Sequence, residues 1–246
     1  MLALETRTPP RPTLARPTAL LCSALLAVAA VTYSSWVLEF VLPTGLSPTE
    51  SFLSELEGYG QPFRSVFSTA DKIAGLSALV AAVLGWMSYA HRRSAMMSAG
   101  WISLGVFGTW TIADACAPVG CFARPGAHCP TPYHGMFAQL HSLHALTSTV
   151  SVNAIFVAMI ALTVVARQMN WNAVRRPGMA ILAVTSLATA WMLVADNLPH
   201  DFALGWAQRV QVGGMSLWLL ILAVAVSREI RGQSEMIIRA QNGYEG

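Results

Sequence analysis

Six long apolar runs divide this chain, and its basic residues fall almost entirely in every second gap between them. Arg7, Arg11 and Arg16 precede the first run, and Arg92 and Arg93 separate the second from the third. Arg167, Arg175 and Arg176 separate the fourth from the fifth, and Arg228, Arg231 and Arg239 follow the sixth. Together they are 11 of the 15 Lys and Arg residues, and the other gaps hold few charges, mostly acidic. This is the positive-inside pattern of a polytopic membrane protein. Runs of about 20 apolar residues match the thickness of a bilayer. Inside lipid only helices and closed barrels satisfy their own backbone, and runs of this length select helices.

The expected fold class is therefore all-α: a six-helix membrane bundle spanning Thr18–Leu42, Val66–Ala90, Ala99–Ala115, Ala138–Ala166, Met179–Leu198 and Trp206–Val226. An even number of spans places both termini in the cytoplasm. Residues 1–17 form a cytoplasmic leader, 18–227 the membrane domain and 228–246 a cytoplasmic tail. The apolar stretch Ala19–Pro43 exceeds the roughly 7–15 residues of a signal-peptide core, so it is expected to persist as the first helix. Charged residues are 11% of the chain, against about 25% in soluble domains. The net charge of +3 reads as topology and contact with anionic lipid, with no indication of nucleic-acid binding. The expected setting is a cell membrane.

Polar residues inside a membrane are expensive, so each calls for an account. His141, His144, Ser148 and Ser151 share one face of the fourth run at about 100° per residue, and Thr185, Thr189 and Asp196 share a face of the fifth. Thr111 and Asp114 lie near the outer end of the third, Ser68, Asp71 and Lys72 near that of the second, and Gln208, Arg209 and Gln211 open the sixth. At similar depth, these groups are expected to line one outward-facing cavity. One reading is a divalent metal site: two histidines a helical turn apart and a neighbouring carboxylate supply three ligands, and a bound water becomes a nucleophile. The other is a hydrogen-bonded network in which His141 and His144 pair with Asp114 or Asp196 and Arg209 neutralises the excess negative charge. Haem is disfavoured, because two histidines on adjacent turns cannot bind opposite faces of the ring. Asp71 and Lys72, adjacent in sequence, are expected to find different partners.

Ser47–Glu57 reads as a short outer helix capped by Ser47 or Thr49. Cys116, Cys121 and Cys129 all fall in the outer segment between the third and fourth runs, where disulfides are permitted. Cys121–Cys129 and Cys116–Cys129 are both open as bridges, and zinc binding with His128 and His134 is a weaker alternative. Cys22 is expected only to pack, the tryptophans to form an interfacial belt, and Gly100, Gly105, Gly108, Gly213 and Gly214 to allow close helix approach.

Three elements, in order, resemble domain-of-unknown-function family 998, a set of six-helix bacterial and archaeal membrane proteins. They are Phe52-Leu-Ser-Glu-Leu-Glu-Gly-Tyr-Gly-Gln-Pro62, Asp114-Ala-Cys-Ala-Pro118 followed by His141-Ser-Leu-His-Ala-Leu-Thr-Ser148, and Gly205-Trp-Ala-Gln-Arg-Val-Gln-Val-Gly213 with Trp218. The chain departs from the family pattern at Ala115, where cysteine often follows the aspartate, and at Glu57, where glycine is common. The resemblance implies the fold and raises the weight of Ser54, Glu55, Asp114, His141, His144, Gln208 and Arg209. A looser likeness to ceramidase-like membrane hydrolases adds His200 as a third histidine for zinc.

Three functions follow as expectations. The first is a non-enzymatic membrane protein that binds a lipid or a protein partner. The second is a metal-dependent hydrolase of a lipid or lipid-linked substrate at the outer leaflet, with Asp114, His141, His144 and His200 holding zinc and Glu55 or Asp196 as general base. The third is a proton-coupled transporter using Asp114, Asp196 and the histidines as a relay. The inner halves of the runs are nearly uncharged, which argues against the third.

Overall fold

The computed structural model describes residues 15–89, 94–117, 119–120, 142–169, 171–196, 198 and 202–242. It is all-helical, with no β-strand among the described residues. The helices are α1 (Ala15–Thr32), α2 (Arg64–Ser88), α3 (Ala95–Cys116), α4 (Leu143–Gln168), α5 (Asn172–Ala195) and α6 (Leu204–Asn242). Short 3-10 helices occupy Ser35–Phe40 and Leu53–Glu57. Five segments are long and apolar enough to cross a membrane: Pro17–Phe40, Arg64–Ser88, Leu143–Gln168, Val174–Ala195 and Leu204–Gly232. The equally long α3, with three glycines and five Ser, Thr or Asp residues, is not among them and packs between α2 and α4.

Each helix lies against its neighbours in sequence, and α6 returns to α1, so the six close into a ring. The ring alternates in direction. Tyr89 after α2, Trp101 early in α3, Trp171 before α5 and Glu229 late in α6 meet at one end, where the Tyr89 hydroxyl and the Trp171 indole both donate to Glu229 at 3.0 and 2.8 Å. Asp71, Asp114, His144, Asp196 and Gln208 meet at the other. Leu26, Leu104, Phe107, Ile155, Met159, Leu162, Met215 and Trp218 fill the middle.

Several expectations change. The first span is not one continuous α-helix. The Thr32 and Ser34 hydroxyls donate back to the carbonyls of Val28 and Ala30 at 2.8 and 2.9 Å, a pattern that bends helices, and the chain tightens into the 3-10 turn that carries Glu39 inward. The outer helix shrinks to Leu53–Glu57, and its cap is the Glu55 carboxylate, which accepts from the Phe52 N–H at 3.0 Å, rather than Ser47 or Thr49. The fourth helix starts at Leu143 instead of Ala138, capped by Ser142, whose hydroxyl accepts from the Ala145 N–H. The fifth begins before Pro177 and runs through it, giving up one backbone bond. At 39 residues, α6 would extend ~58 Å at 1.5 Å per residue, so the expected tail continues as helix beyond a bilayer core of ~30 Å. Trp101 and Trp218 are buried core residues rather than belt residues, while Trp206 and Trp191 remain exposed. Cys22 packs as expected, its thiol directed at the Ala81 carbonyl.

The α2–α3 crossing depends on glycine. A Cβ on Gly75 would meet the Gly108 carbonyl at 2.6 Å, and one on Gly108 would meet the Gly75 carbonyl at 2.5 Å and the Leu79 nitrogen at 2.6 Å. These are backbone atoms that cannot swing aside. A Cβ on Gly105 meets nothing nearer than the Ala82 Cβ at 3.6 Å. Gly108→Ala is expected to lower the thermal midpoint in detergent by an overpacking cost of about 1–3 kcal/mol, and Gly105→Ala to leave it nearly unchanged. Equal midpoints for the two variants would refute this account of the crossing.

Candidate functional site

The deepest polar feature is a cavity of about 390 Å³ at the end of the ring where α2, α4 and α6 begin. Its walls bring together groups far apart in sequence: Tyr33 and Trp36 after α1, Ser54 and Glu57 from the second 3-10 helix, Asp71 from α2, Asp114 from α3, His144, Ser148 and Ser151 from α4, Asp196 after α5, and Gln208 and Gln211 from α6. Among the described residues, no lysine or arginine lines it.

Two carboxyl arrangements organise it. Asp114 sits 3.1 Å from His144 Nδ1, and the Thr147 hydroxyl donates to the same carboxylate oxygen at 2.5 Å. His144 Nδ1 also lies 3.1 Å from the Ala117 carbonyl, so a proton on that nitrogen serves both acceptors. Alongside, Glu57 and Asp71 are hydrogen-bonded to each other. Two carboxyls in such contact hold a proton between them, because like charges this close cannot both ionise in a poorly solvated site. Burial pushes the Glu57 carboxyl above its ordinary range, only partly opposed by its hydrogen bond with Asp71. The remaining polar groups are tied down: Thr111 and Ser151 share a hydrogen bond of 2.9 Å, Ser68 donates to the Ala115 carbonyl, and Gln211 donates to Thr189 at 2.8 Å.

Beside the cavity lies a second, fully buried feature. Arg209 forms a two-pronged ion pair with Glu39, Nε to Oε1 and Nη2 to Oε2 both at 2.5 Å, and each side chain is 1% exposed. Its third nitrogen, Nη1, donates to the carbonyls of Ser51 and Gly205 at 3.0 and 2.9 Å. Arg209 was expected to neutralise the Asp114 and Asp196 cluster. It is instead spent on Glu39, because a guanidinium buried this deeply is held only by a coplanar carboxylate and backbone carbonyls that saturate its donors.

Of the residues singled out in sequence, Ser54, Asp114, His144, Asp196 and Gln208 line the cavity. Gln208 also anchors the outer segment by accepting from the Leu53 N–H at 2.5 Å. Glu55 serves as a cap, and Lys72 is exposed while Asp71 faces the cavity. Cys116 carries a free thiol. His141, His200, Cys121, Cys129, His128 and His134 lie outside the described residues. Among the described residues, no three His, Cys, Asp or Glu side chains are grouped as a metal would need.

Glu39 was passed over in sequence, as were the cavity roles of Glu57 and Tyr33, whereas Asp71 was expected at the cavity and lines it. A signal existed for Glu39. It is an acidic residue inside the first apolar run, and Arg209 is a basic residue inside the sixth, so each required a partner at the same depth.

An all-helical ring of membrane-crossing segments, closed at one end over an acidic cavity, defines a multi-pass membrane protein with an internal polar site. Residues 6–225 match the sequence profile of the family described as "Protein of unknown function (DUF998)", and the chain belongs to that family. Neither a curated protein nor a solved structure matches it.

Removing one partner of a buried ion pair strands the other, which costs about 3–5 kcal/mol, whereas replacing both by apolar groups is often tolerated. Arg209→Met is therefore expected to collapse folded yield, and Glu39→Leu/Arg209→Met to recover most of it. A double variant no more stable than the single one would refute this. A carboxyl raised by burial contributes stability below its unfolded pKa and loses it as pH rises through the folded value. The wild type is expected to melt at lower temperature as pH rises above the ordinary carboxylate range. Glu57→Gln, which keeps a donor to Asp71, is expected to melt higher at neutral pH with a flatter profile. An unchanged slope in the variant would rule out Glu57 as the source.

Proposed function

We propose that this is a multi-pass protein of the bacterial plasma membrane that binds the cationic head of a lipid in its acidic cavity. Both termini lie on the cytoplasmic side and the cavity faces outward. The orientation is supported by charge. Arg167, Arg175, Arg176, Arg228 and Arg231 gather at the end remote from the cavity, the end that the positive-inside rule assigns to the cytoplasm.

One observation carries the ligand assignment. Among the described residues, Glu57, Asp71, Asp114 and Asp196 line the cavity with His144 but without lysine or arginine, and the buried Arg209 beside it is already neutralised by Glu39. An ammonium entering this space meets carboxyls that, among the described residues, are held by hydrogen bonds and His144 rather than by lysine or arginine, in a medium where each charge-assisted hydrogen bond is worth about 1.5–3 kcal/mol. An anionic head would meet repulsion. The volume of about 390 Å³ suits a small head group, and Ser54, Ser148, Gln208 and Gln211 add neutral hydrogen-bonding sites around it.

The metal-dependent hydrolase is kept as a second reading on one observation, the Asp114–His144 pair, which supplies two adjacent ligands of the expected set. His141 and His200 would complete it, with Asp196 as general base. The test covers both readings. Native mass spectrometry of detergent-purified protein is expected to retain phosphatidylethanolamine in preference to phosphatidylglycerol. Asp114→Asn is expected to weaken that retention about tenfold or more, one charge-assisted bond. Equal retention of both lipids, unaffected by the substitution, would overturn the binding reading. One equivalent of zinc in wild type, absent from His141→Ala/His144→Ala, would move the hydrolase to first place.

A further inference from the structure

A second hollow of about 480 Å³ lies against the outside of the ring between α5 and α6, closed at one end by the 3-10 turn after α1. Ile181, Val184, Val210 and Leu217 make its walls, and Val184, Trp206, Val210 and Leu217 are exposed on membrane-crossing segments, so it opens sideways toward lipid tails. Gly213 and Gly214 keep α6 bare along it: a Cβ on Gly213 would only touch Trp36 at 3.5 Å, while one on Gly214 would collide with Thr185.

Two features set this groove apart from ordinary helix packing. First, two polar atoms on its wall, the Thr185 hydroxyl and the Trp36 indole N–H, are buried without a hydrogen-bond partner, and Thr185 is 0% exposed. Buried donors in native proteins are nearly always paired, so two unpaired donors lining one groove, one from the closing turn and one from α5, ask for an acceptor supplied from outside. Second, Trp36 lines both the groove and the acidic cavity, so the two spaces share a wall. Tryptophan at the end of a span sits at the depth of the interfacial region, where the tail of a glycerolipid joins its head.

We propose that the groove is an acyl-chain site, in which a fatty acyl tail lies between α5 and α6 and its ester carbonyl accepts from Trp36 Nε1 and Thr185 Oγ1. An ester carbonyl has two acceptor lone pairs, one for each donor, and an apolar tail suits the remaining wall, where the lining Arg209 is already neutralised by Glu39. This rests on the head-group reading above and deepens it: head in the cavity, ester at Trp36, tail in the groove.

The test uses full-length protein in detergent and native mass spectrometry with two probes, phosphatidylethanolamine and the headless dioleoylglycerol. Gly213→Leu fills the groove from a position where a Cβ makes only ordinary contact, and Thr185→Val removes a hydroxyl that no protein group uses. Both probes are expected to be lost from Gly213→Leu and weakened about fivefold by Thr185→Val, the worth of one neutral hydrogen bond. Retention of both probes by folded Gly213→Leu, or by Thr185→Val at wild-type level, would overturn the acyl site. The two readings fail separately. If dioleoylglycerol binds as well as phosphatidylethanolamine and both are lost in Gly213→Leu, the groove stands and the head-group assignment falls. If phosphatidylethanolamine responds to Asp114→Asn but not to Gly213→Leu, the head-group assignment stands and the groove falls.

Discussion

The Glu39–Arg209 ion pair is the constraint on which the cavity end of this protein depends. Two charges at 1% exposure inside an apolar bundle are stable only as a geometric unit. The unit here includes more than two residues. It joins the 3-10 continuation of α1 to the first turns of α6, and through the Ser51 carbonyl it also holds the outer segment. Gly205 completes the joint: its N–H donates to the Thr49 carbonyl at 2.9 Å, and any side chain there would strike the carbonyls of Pro48 and Ser51. The segment that carries Ser54 and Glu57 into the cavity is thus fastened at the same place that closes the ring between α1 and α6.

That fastening has an electrostatic consequence. With Arg209 saturated, the neighbouring cavity has, among the described residues, no lysine or arginine beside its carboxyls, only His144. The site handles its own charge by sharing protons and hydrogen bonds: Glu57 with Asp71, and Asp114 with His144 and Thr147. On the proposed head-group reading, an incoming ammonium would replace a shared proton rather than break a rigid salt bridge. The apolar groove on the other side of Trp36 gives the same end of the bundle a surface for the opposite kind of chemistry, and an amphiphile is the class of molecule that uses both.

Much of this was legible in the residues. Periodicity and the alternation of arginines mark six helical segments, and equal depth from that topology places Asp114, His144, Asp196, Gln208 and Gln211 near one another, as the cavity does. The misreadings share one cause. Equal depth also brought Asp71 to the cavity, but Glu57 was judged only as an atypical turn, and its contact with Asp71 joins an irregular segment to α2, a proximity that helical spacing does not encode. Trp101 lies near a span end in sequence and Trp218 in mid-span, and a ring of six helices turns one side of every helix inward, so rotation about the axis buries them both. The helix starts at Leu143 and Asn172 differ from the apolar boundaries because capping and backbone hydrogen bonds, rather than hydropathy, end a helix.

What the sequence determined by itself is the class: a helical membrane protein of this family, its spans set by the length of apolar runs and by the cost of an unsatisfied backbone in lipid. What only the tertiary structure decided is which charges meet. Arg209 could have neutralised any of five carboxylates near its end of the bundle, and the choice of Glu39 depends on a bend after Thr32 and on the bare backbone at Gly205, neither of which has a periodic signature. Hydrophobic burial is non-directional and can be read from pattern, whereas ion pairs and hydrogen bonds require fixed distances and angles that exist only once the helices have packed.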